Sequence, residues 1–373
     1  MAGTPEEIRR GLVGVVADTT SISMVNEATN SLLYRGYPVQ ELAQRCSFEE
    51  VAYLIWHGDL PSSEARRELE AAERAQRAVP GELATVLASL PRSCHPMDVL
   101  RTAVSYLGAT DPNEADASRE SNLAKAVSLW AKLPTIVAAE QRRRHDEAPI
   151  PPDPSLSFAE NFFHMCFGAV PDPETVRAFE VSLVLYAEHS FNASTFTARV
   201  ITSTLSDIYS AVTGAIGALK GPLHGGANEA VMAMLLEIED PAAAQAWLKQ
   251  ALAEGRKIMG FGHRVYKHGD SRVPTMRRAF EDLARRAGAT RLWTLYENLE
   301  AAMLAEKGIH PNLDYPTGPA YYLMGFDIPT FTPIFVMSRI TGWTAHVMEQ
   351  LEANSLIRPL SAYVGPAERS VPS

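Results

Sequence analysis

Along most of this chain, apolar residues recur three and four positions apart, the spacing that gathers them on one face of a helix. In "ANEAVMAMLLEIED", Val231, Met234, Leu235 and Ile238 share such a face. Asp240-Pro241 then ends the run, because a residue that precedes proline is pushed out of helical geometry. "PETVRAFEVSLVLYAEHS" opens with Pro173 and acidic Glu174, a favourable helix start, and "PAAAQAWLKQALAEG" is framed by Pro241 and Gly255. "TSTLSDIYSAVTGAIGALKG" is rich in small residues, Gly214 and Gly217 among them, as in a helix packed closely on another. "TPIFVMSRITGWTAHVMEQLEAN" reads as a long and mostly apolar helix. Strand signals are confined to the first third, where "GLVGVVADTTSISMV" and "SLLYRGYPV" flank the loop "NEATN" and predict a small hairpin. The fold class is therefore mainly α.

A chain of 373 residues is too long for one ordinary core, so two domains, or one body with an appendage, are expected. The stretches 109–122 and 142–155 are loop-like, but helices of similar character flank both, and they read as surface connections. No apolar run approaches the ~18–20 residues that cross a bilayer. Neither end carries a targeting signal. Cys46, Cys94 and Cys166 lie far apart without metal-ligand spacing, which argues against a disulfide framework and a zinc site and for a reduced cytoplasm. A net charge of −10 speaks against nucleic-acid binding. Yet between His263 and Arg291 eight Lys/Arg face three acids, a local basic island suited to a small anion. Its later part, Arg277 to Arg291, reads more simply as a solvated helix face.

Four stretches fit neither helix nor strand. "GPLHGGANE" wedges His224 among glycines, and "GFGHRVYKHGDSR" places His263 in a second glycine-flanked loop at the head of the basic island. "NLDYPTG" puts Asp314 where no helix is expected to continue, and "EHSFNASTF" sets His189 at a helix end. One histidine in a turn is ordinarily a solvent-facing residue. Together these stretches supply a carboxylate, imidazoles and arginines, the groups needed to abstract a proton next to a carbonyl. No GxGxxG or GxxxxGK[ST] phosphate loop occurs.

On these motifs, and on "LLYRGYPVQELA", "HPMDVLRTAVSYLG" and "LIRPLSAYVGP", the chain resembles the citrate synthase family over nearly its whole length. Within it, "NLDYPTGPAYYLMGFDIPTFTPIFVMSRITGWTAH" is most like the 2-methylcitrate synthase branch. The resemblance implies a two-domain helical homodimer. Its large domain would comprise residues 1–220 and 319–373, with a small mobile domain at 221–318 and the site in the cleft between. It implies condensation of propionyl-CoA, and acetyl-CoA, with oxaloacetate and water, giving 2-methylcitrate or citrate and free coenzyme A. No metal or permanently bound cofactor is called for. The alternative is a citrate synthase that strictly prefers acetyl-CoA.

The resemblance also assigns roles. Asp314 would be the base, His224 the donor to the thioester oxygen, and His263 the donor to the ketone. His189, Arg272, Arg339 and Arg358 would hold the oxo acid, Arg358 reaching the neighbouring subunit's site, since the guanidinium fork suits carboxylates. Lys220, Gly221, Pro222, Leu223, Gly260, Phe261, Gly262 and Lys267 would receive coenzyme A. Room for the acyl group is expected from Gly318 and Ala320, and His95, His164, His310 and His346 are expected to be structural. An acyl-CoA lyase and an inactive helical scaffold are the rival classes. The first lacks any ATP-binding motif here, and the second does not explain three intact catalytic positions.

Overall fold

The computed structural model describes residues 8–26, 28–266 and 269–372. Strands β1 (Ser23–Asn26), β2 (Ser31–Tyr34) and β3 (Tyr37–Pro38) form one antiparallel sheet in that order, with Met24 opposite Leu33. The expected hairpin is present, extended by a short third strand. Sixteen helices follow among the described residues. The first seven are α1 (Val39–Arg45), α2 (Phe48–His57), α3 (Ser63–Gln76), α4 (Gly81–Ala88), α5 (Pro96–Thr110), α6 (Arg119–Arg144) and α7 (Phe158–Phe167). Then come α8 (Pro173–Tyr186), α9 (Ala193–Ser203), α10 (Ile208–Leu219), α11 (Ala227–Leu236), α12 (Ala244–Ala253) and α13 (Val273–Arg286). The last are α14 (Thr290–Lys307), α15 (Asp314–Leu323) and α16 (Phe331–Glu352).

Local chemistry explains these ends. Ser47 with Glu50, and Ser157 with Glu160, form reciprocal capping boxes on α2 and α7. Asp172 caps α8 ahead of Pro173. Two sequence expectations need correction. The loop-like stretches are shorter than read, because α5 runs to Thr110 and α6 from Arg119 to Arg144. Asp314 does not stop a helix but begins one, since Pro316 falls in its first turn, where a missing N–H costs nothing.

Helix α16 is the centre of the molecule, apolar nearly all round and buried along almost its whole length, packed by α2, α5, α6, α8, α9 and α10. The glycines report close approaches. A Cβ at Gly214 would lie 2.3 Å from Ile201 Cδ1, so α10 does sit tightly on α9, while Gly217 has open space beside it. At Gly318 a Cβ would lie 2.7 Å from the Asn228 carbonyl oxygen, so Gly318 lets α15 seat on α11 and does not line a cleft. Ala320 is wholly buried. The room expected for an acyl group from these two residues is not there.

Gly318→Ala is expected to destabilise the protein by about 1–3 kcal/mol, because backbone must move. Gly81→Ala, on an open surface, is expected to stay within about 0.5 kcal/mol. Urea unfolding of the two variants checks this.

Candidate active site

His224 lies in the turn between α10 and α11. That turn closes tightly: Gly225 N–H donates to the Leu219 carbonyl at 2.9 Å, and a Cβ at Gly225 would lie 2.6 Å from the same oxygen. The imidazole is thereby carried to the start of α9, where the Ser194 backbone N–H donates to its Nε2 at 3.3 Å and Ser194 Oγ lies 2.8 Å from it. A backbone N–H can only donate, so Nε2 is an acceptor and the ring proton sits on Nδ1. The Ser194 hydroxyl lies between Nε2 and Asn192 Oδ1, 2.7 Å from the latter, which also receives the Thr195 N–H. Trp343 Nε1 fixes Ser194 Oγ from α16 at 3.0 Å. Burial first, and Arg339 second, lower the His224 pKa to about 3, so the ring is neutral in ordinary conditions.

His263 is held on the same principle with the nitrogens exchanged. Gly260 and Gly262 adopt φ of +81° and +80°, which glycine tolerates without strain. The Gly262 N–H donates to His310 and the Asn312 N–H to Gly260, each at 2.8 Å, which stitches this loop to the one before α15. The Val265 N–H donates to His263 Nδ1 at 3.1 Å, leaving the proton on Nε2. Burial, then Arg272, lower its pKa to about 4. The His189 ring lies 4.9 Å from that of His263, with Nε2 3.3 Å from the Tyr266 hydroxyl. Its pKa is pushed well below the usual value, again by burial and then Arg272.

Two buried arginines flank these rings. Arg272 grips Asp270 through Nε at 2.9 Å and Nη2 at 2.7 Å. Burial opposes its charge, but that carboxylate prevails and raises its pKa. Asp270 also accepts the Leu313 N–H at 3.1 Å, which fixes the residue before Asp314. Arg339 is only 1% exposed and has no carboxylate partner among the described residues. Its Nε donates to the Tyr186 carbonyl at 2.6 Å, and its guanidinium lies over the Phe335 ring at 4.7 Å. Burial lowers its pKa to about 10, still high enough to keep it charged. A buried, charged guanidinium with its Nη atoms unpartnered among the described residues is a site for an anion.

Asp314 is the first residue of α15. Its Oδ1 accepts the Tyr186 hydroxyl at 2.6 Å, while Oδ2 has no partner among the described residues. Burial raises its pKa to about 6, against the pull of Tyr186 and Arg272. Two neutral N–H donors, one ionisable carboxylate with a free oxygen, and two fixed cations thus meet in one cleft. The set can remove a proton next to a carbonyl, donate to two developing oxyanions and hold a dicarboxylate.

The family described as "Citrate synthase, C-terminal domain" matches residues 11–360. This chain belongs to the citrate synthase family. A 2-methylcitrate synthase of Mycobacterium tuberculosis is 63% identical over 366 residues, 98% of this chain and 93% of that relative. A citrate synthase of Mycolicibacterium smegmatis is 61% identical, covering 98% of this chain and 97% of its own. Among solved structures, the citrate synthase of Thermoplasma acidophilum in a ternary complex with carboxymethyl coenzyme A and oxaloacetate has a TM-score of 0.91. It is 34% identical and covers 98% of each chain. The chain is an enzyme of this family, with the helical fold of its solved members.

Of the residues that the sequence singles out, His189, His224, His263, Arg272, Arg339 and Asp314 converge. Arg358 does not join them within one chain; it is exposed on the extended segment after α16. Lys220 is engaged elsewhere, its ammonium 2.7 Å from both Asp98 oxygens. Gly221 is half-buried, Pro222 is exposed and Leu223 is 83% exposed beside His224, while Gly260 is buried and Phe261 and Gly262 are half-buried in the loop that carries His263. Lys267 lies outside the described residues. The later basic island pairs at the surface, as expected: Arg277 with Glu297 and Glu300, Arg285 with Asp282, Arg286 with Glu174. His346 and His95 are structural, bonded to Glu188 at 2.9 Å and Glu229 at 3.1 Å. Sequence reasoning missed Tyr186, Ser194, Tyr266 and Asp270. Only Asp270 carried a signal, its position two before Arg272 in a basic stretch.

Because the base must be ionised and both histidines stay neutral above about pH 5, activity is expected to fall along a single acid limb centred near pH 6. Asp314→Asn is expected to remove turnover while oxaloacetate binding persists. Free thiol release against pH, with calorimetric binding of oxaloacetate, checks both.

Proposed function

We propose that this enzyme condenses propionyl-CoA, and acetyl-CoA as a second substrate, with oxaloacetate and water, to give 2-methylcitrate or citrate and coenzyme A. The observation that carries this reading is the pairing of Asp314, one oxygen free, with two neutral imidazoles whose remaining N–H groups have no protein partner among the described residues. Asp314 takes a proton from the carbon next to the thioester, and His224 Nδ1–H donates to the oxygen as it becomes an enol. That carbon attacks the ketone of oxaloacetate, and His263 Nε2–H supplies the proton to the new alkoxide. Water then cleaves the thioester, releasing coenzyme A and making the sequence irreversible. His189, Arg272 and Arg339 hold the oxo acid. The backbone around Gly221–Leu223 and Gly260–Gly262, with Lys267, receives the nucleotide, and the close approach of Lys220 to Asp98 weakens its claim on a phosphate.

Residues 221–318 form the mobile part that closes over bound oxaloacetate, because a dicarboxylate can bridge Arg272 on one side and Arg339 on the other. The working unit is a cytoplasmic homodimer. Its support is the segment after α16, where Leu360, Tyr363 and Val364 are 76%, 76% and 93% exposed in a single chain. The partner's site is where Arg358 acts.

The relative named 2-methylcitrate synthase at 63% identity favours propionyl-CoA. The citrate synthase at 61% supports the second reading, a strict acetyl-CoA preference. One methylene in an apolar pocket discriminates by only about 1–3 kcal/mol, so both thioesters are expected to react. The decisive measurement is kcat/KM for each at saturating oxaloacetate, and an acetyl-CoA preference above about tenfold favours the second reading. For Arg358, subunits of Arg358→Ala and Asp314→Asn are mixed. If Arg358 serves the partner's site, random exchange restores up to about a quarter of full activity, from the one intact site per hybrid dimer. No recovery refutes the shared site.

A further inference from the structure

Tyr186, the last residue of α8, meets both halves of the cleft at once. Its hydroxyl donates to Asp314 Oδ1 at 2.6 Å, and its backbone carbonyl accepts from Arg339 Nε at 2.6 Å. Its ring lies 4.1 Å from that of Phe335, and Phe335 in turn carries the Arg339 guanidinium at 4.7 Å. The ring is buried, so the hydroxyl has little solvent to turn towards. We propose that Tyr186 is a positioning residue that ties the base to the arginine of the oxo-acid pocket, fixing the Asp314 carboxylate so that Oδ2 alone is left to take the proton. This rests on the condensation reading above.

Without the hydroxyl, the carboxylate is free to rotate about its last bond and loses a donor that only its ionised form needs. Both effects act on chemistry rather than on binding. The charged and titratable groups that face Asp314 are Tyr186 on α8, Asp270 and Arg272 ahead of α13, Tyr321 on α15 and Arg339 on α16. Of these, Tyr186 alone donates a hydrogen bond to the carboxylate among the described residues. Burial already raises the Asp314 pKa to about 6, so the loss of this donor moves it further up, into the working range.

The test is Tyr186→Phe, which keeps the ring, its packing on Phe335 and the carbonyl that holds Arg339. The expected result is a kcat lowered about ten- to a hundredfold and an acid limb moved up by about one pH unit, with KM for oxaloacetate within about twofold of normal. An unmoved acid limb, or a kcat within twofold, overturns the proposal. Thermal unfolding and calorimetric binding of oxaloacetate separate these outcomes from a folding defect. The carboxyl carbon resonance of Asp314, assigned by its loss in Asp314→Asn, is titrated in parallel with and without the Tyr186 hydroxyl. It needs no acyl substrate, so an upward shift supports the proposal even if neither thioester proves to be the substrate, and no shift overturns it.

Discussion

Arg339 sits within a helix that is apolar on nearly every side, with no carboxylate in ion-pair contact among the described residues. Taking an ion out of water costs several kcal/mol even after the protein relaxes, and a partner is the usual remedy. Arg272, nearby, has that remedy in Asp270, which grips it at two points. Arg339 has only weaker substitutes: one carbonyl on its Nε, the Phe335 ring beneath it and the charge of Glu188 at a distance. The deficit is what makes the position useful. A carboxylate arriving beside Arg339 gains an interaction that the protein has left incomplete, in a medium where charges are weakly screened.

The same two cations decide the protonation states around them. Each helps burial to keep a histidine neutral, and both work against burial to keep Asp314 ionisable near pH 6. A cleft lined with positive charge therefore holds neutral imidazole donors and one anionic base, the division of labour that enolisation requires. The glycine loops make this possible at the level of backbone. They bring His224 against the Ser194 N–H and fold the Val265 N–H back onto His263, so that each ring has one nitrogen pinned and the other bearing its proton.

Much of this was legible in the chain because it broke the helical pattern. His224, His263, His189 and Asp314 stood out as polar residues where neither period applied, and Pro173 with Glu174 marked the start of α8 correctly. What was hidden lies in contacts between distant segments. Ser194 reads as an ordinary N-terminal helix residue and Tyr186 as one more aromatic on an apolar face, yet their partners are 30 and 128 positions away. Asp314 was misjudged for a local reason: Pro316 falls in the first turn of α15, where the missing N–H costs no hydrogen bond. Gly318 was misread as space when it packs against α11, and Ala320 is wholly buried.

The small N-terminal sheet acquires a purpose in this light. The segment 186–190 carries Tyr186, Glu188 and His189, and it leaves helical geometry there, with Ser190 at a φ of +49°. Four bonds from the sheet hold it, one of them from the Glu188 N–H to the Tyr34 hydroxyl at 3.2 Å. Ser23 Oγ on β1 donates to Glu188 Oε1 at 2.9 Å and accepts the Ser190 N–H at 2.8 Å, and the Tyr34 hydroxyl on β2 donates to the Glu188 carbonyl at 2.9 Å. From the other side His346 reaches Glu188 Oε1 at 2.9 Å, and Gly342 leaves the room, since a Cβ there would lie 2.2 Å from Glu188 Oε2. The buried carboxylate so enclosed is the nearest compensation that Arg339 has, and Glu188 stays ionised because His346 and Arg339 outweigh its burial. A strand pair at one end of the chain and a helix at the other thus clamp the turn on which the oxo-acid pocket depends, and this explains why a mainly helical protein retains a sheet of three short strands.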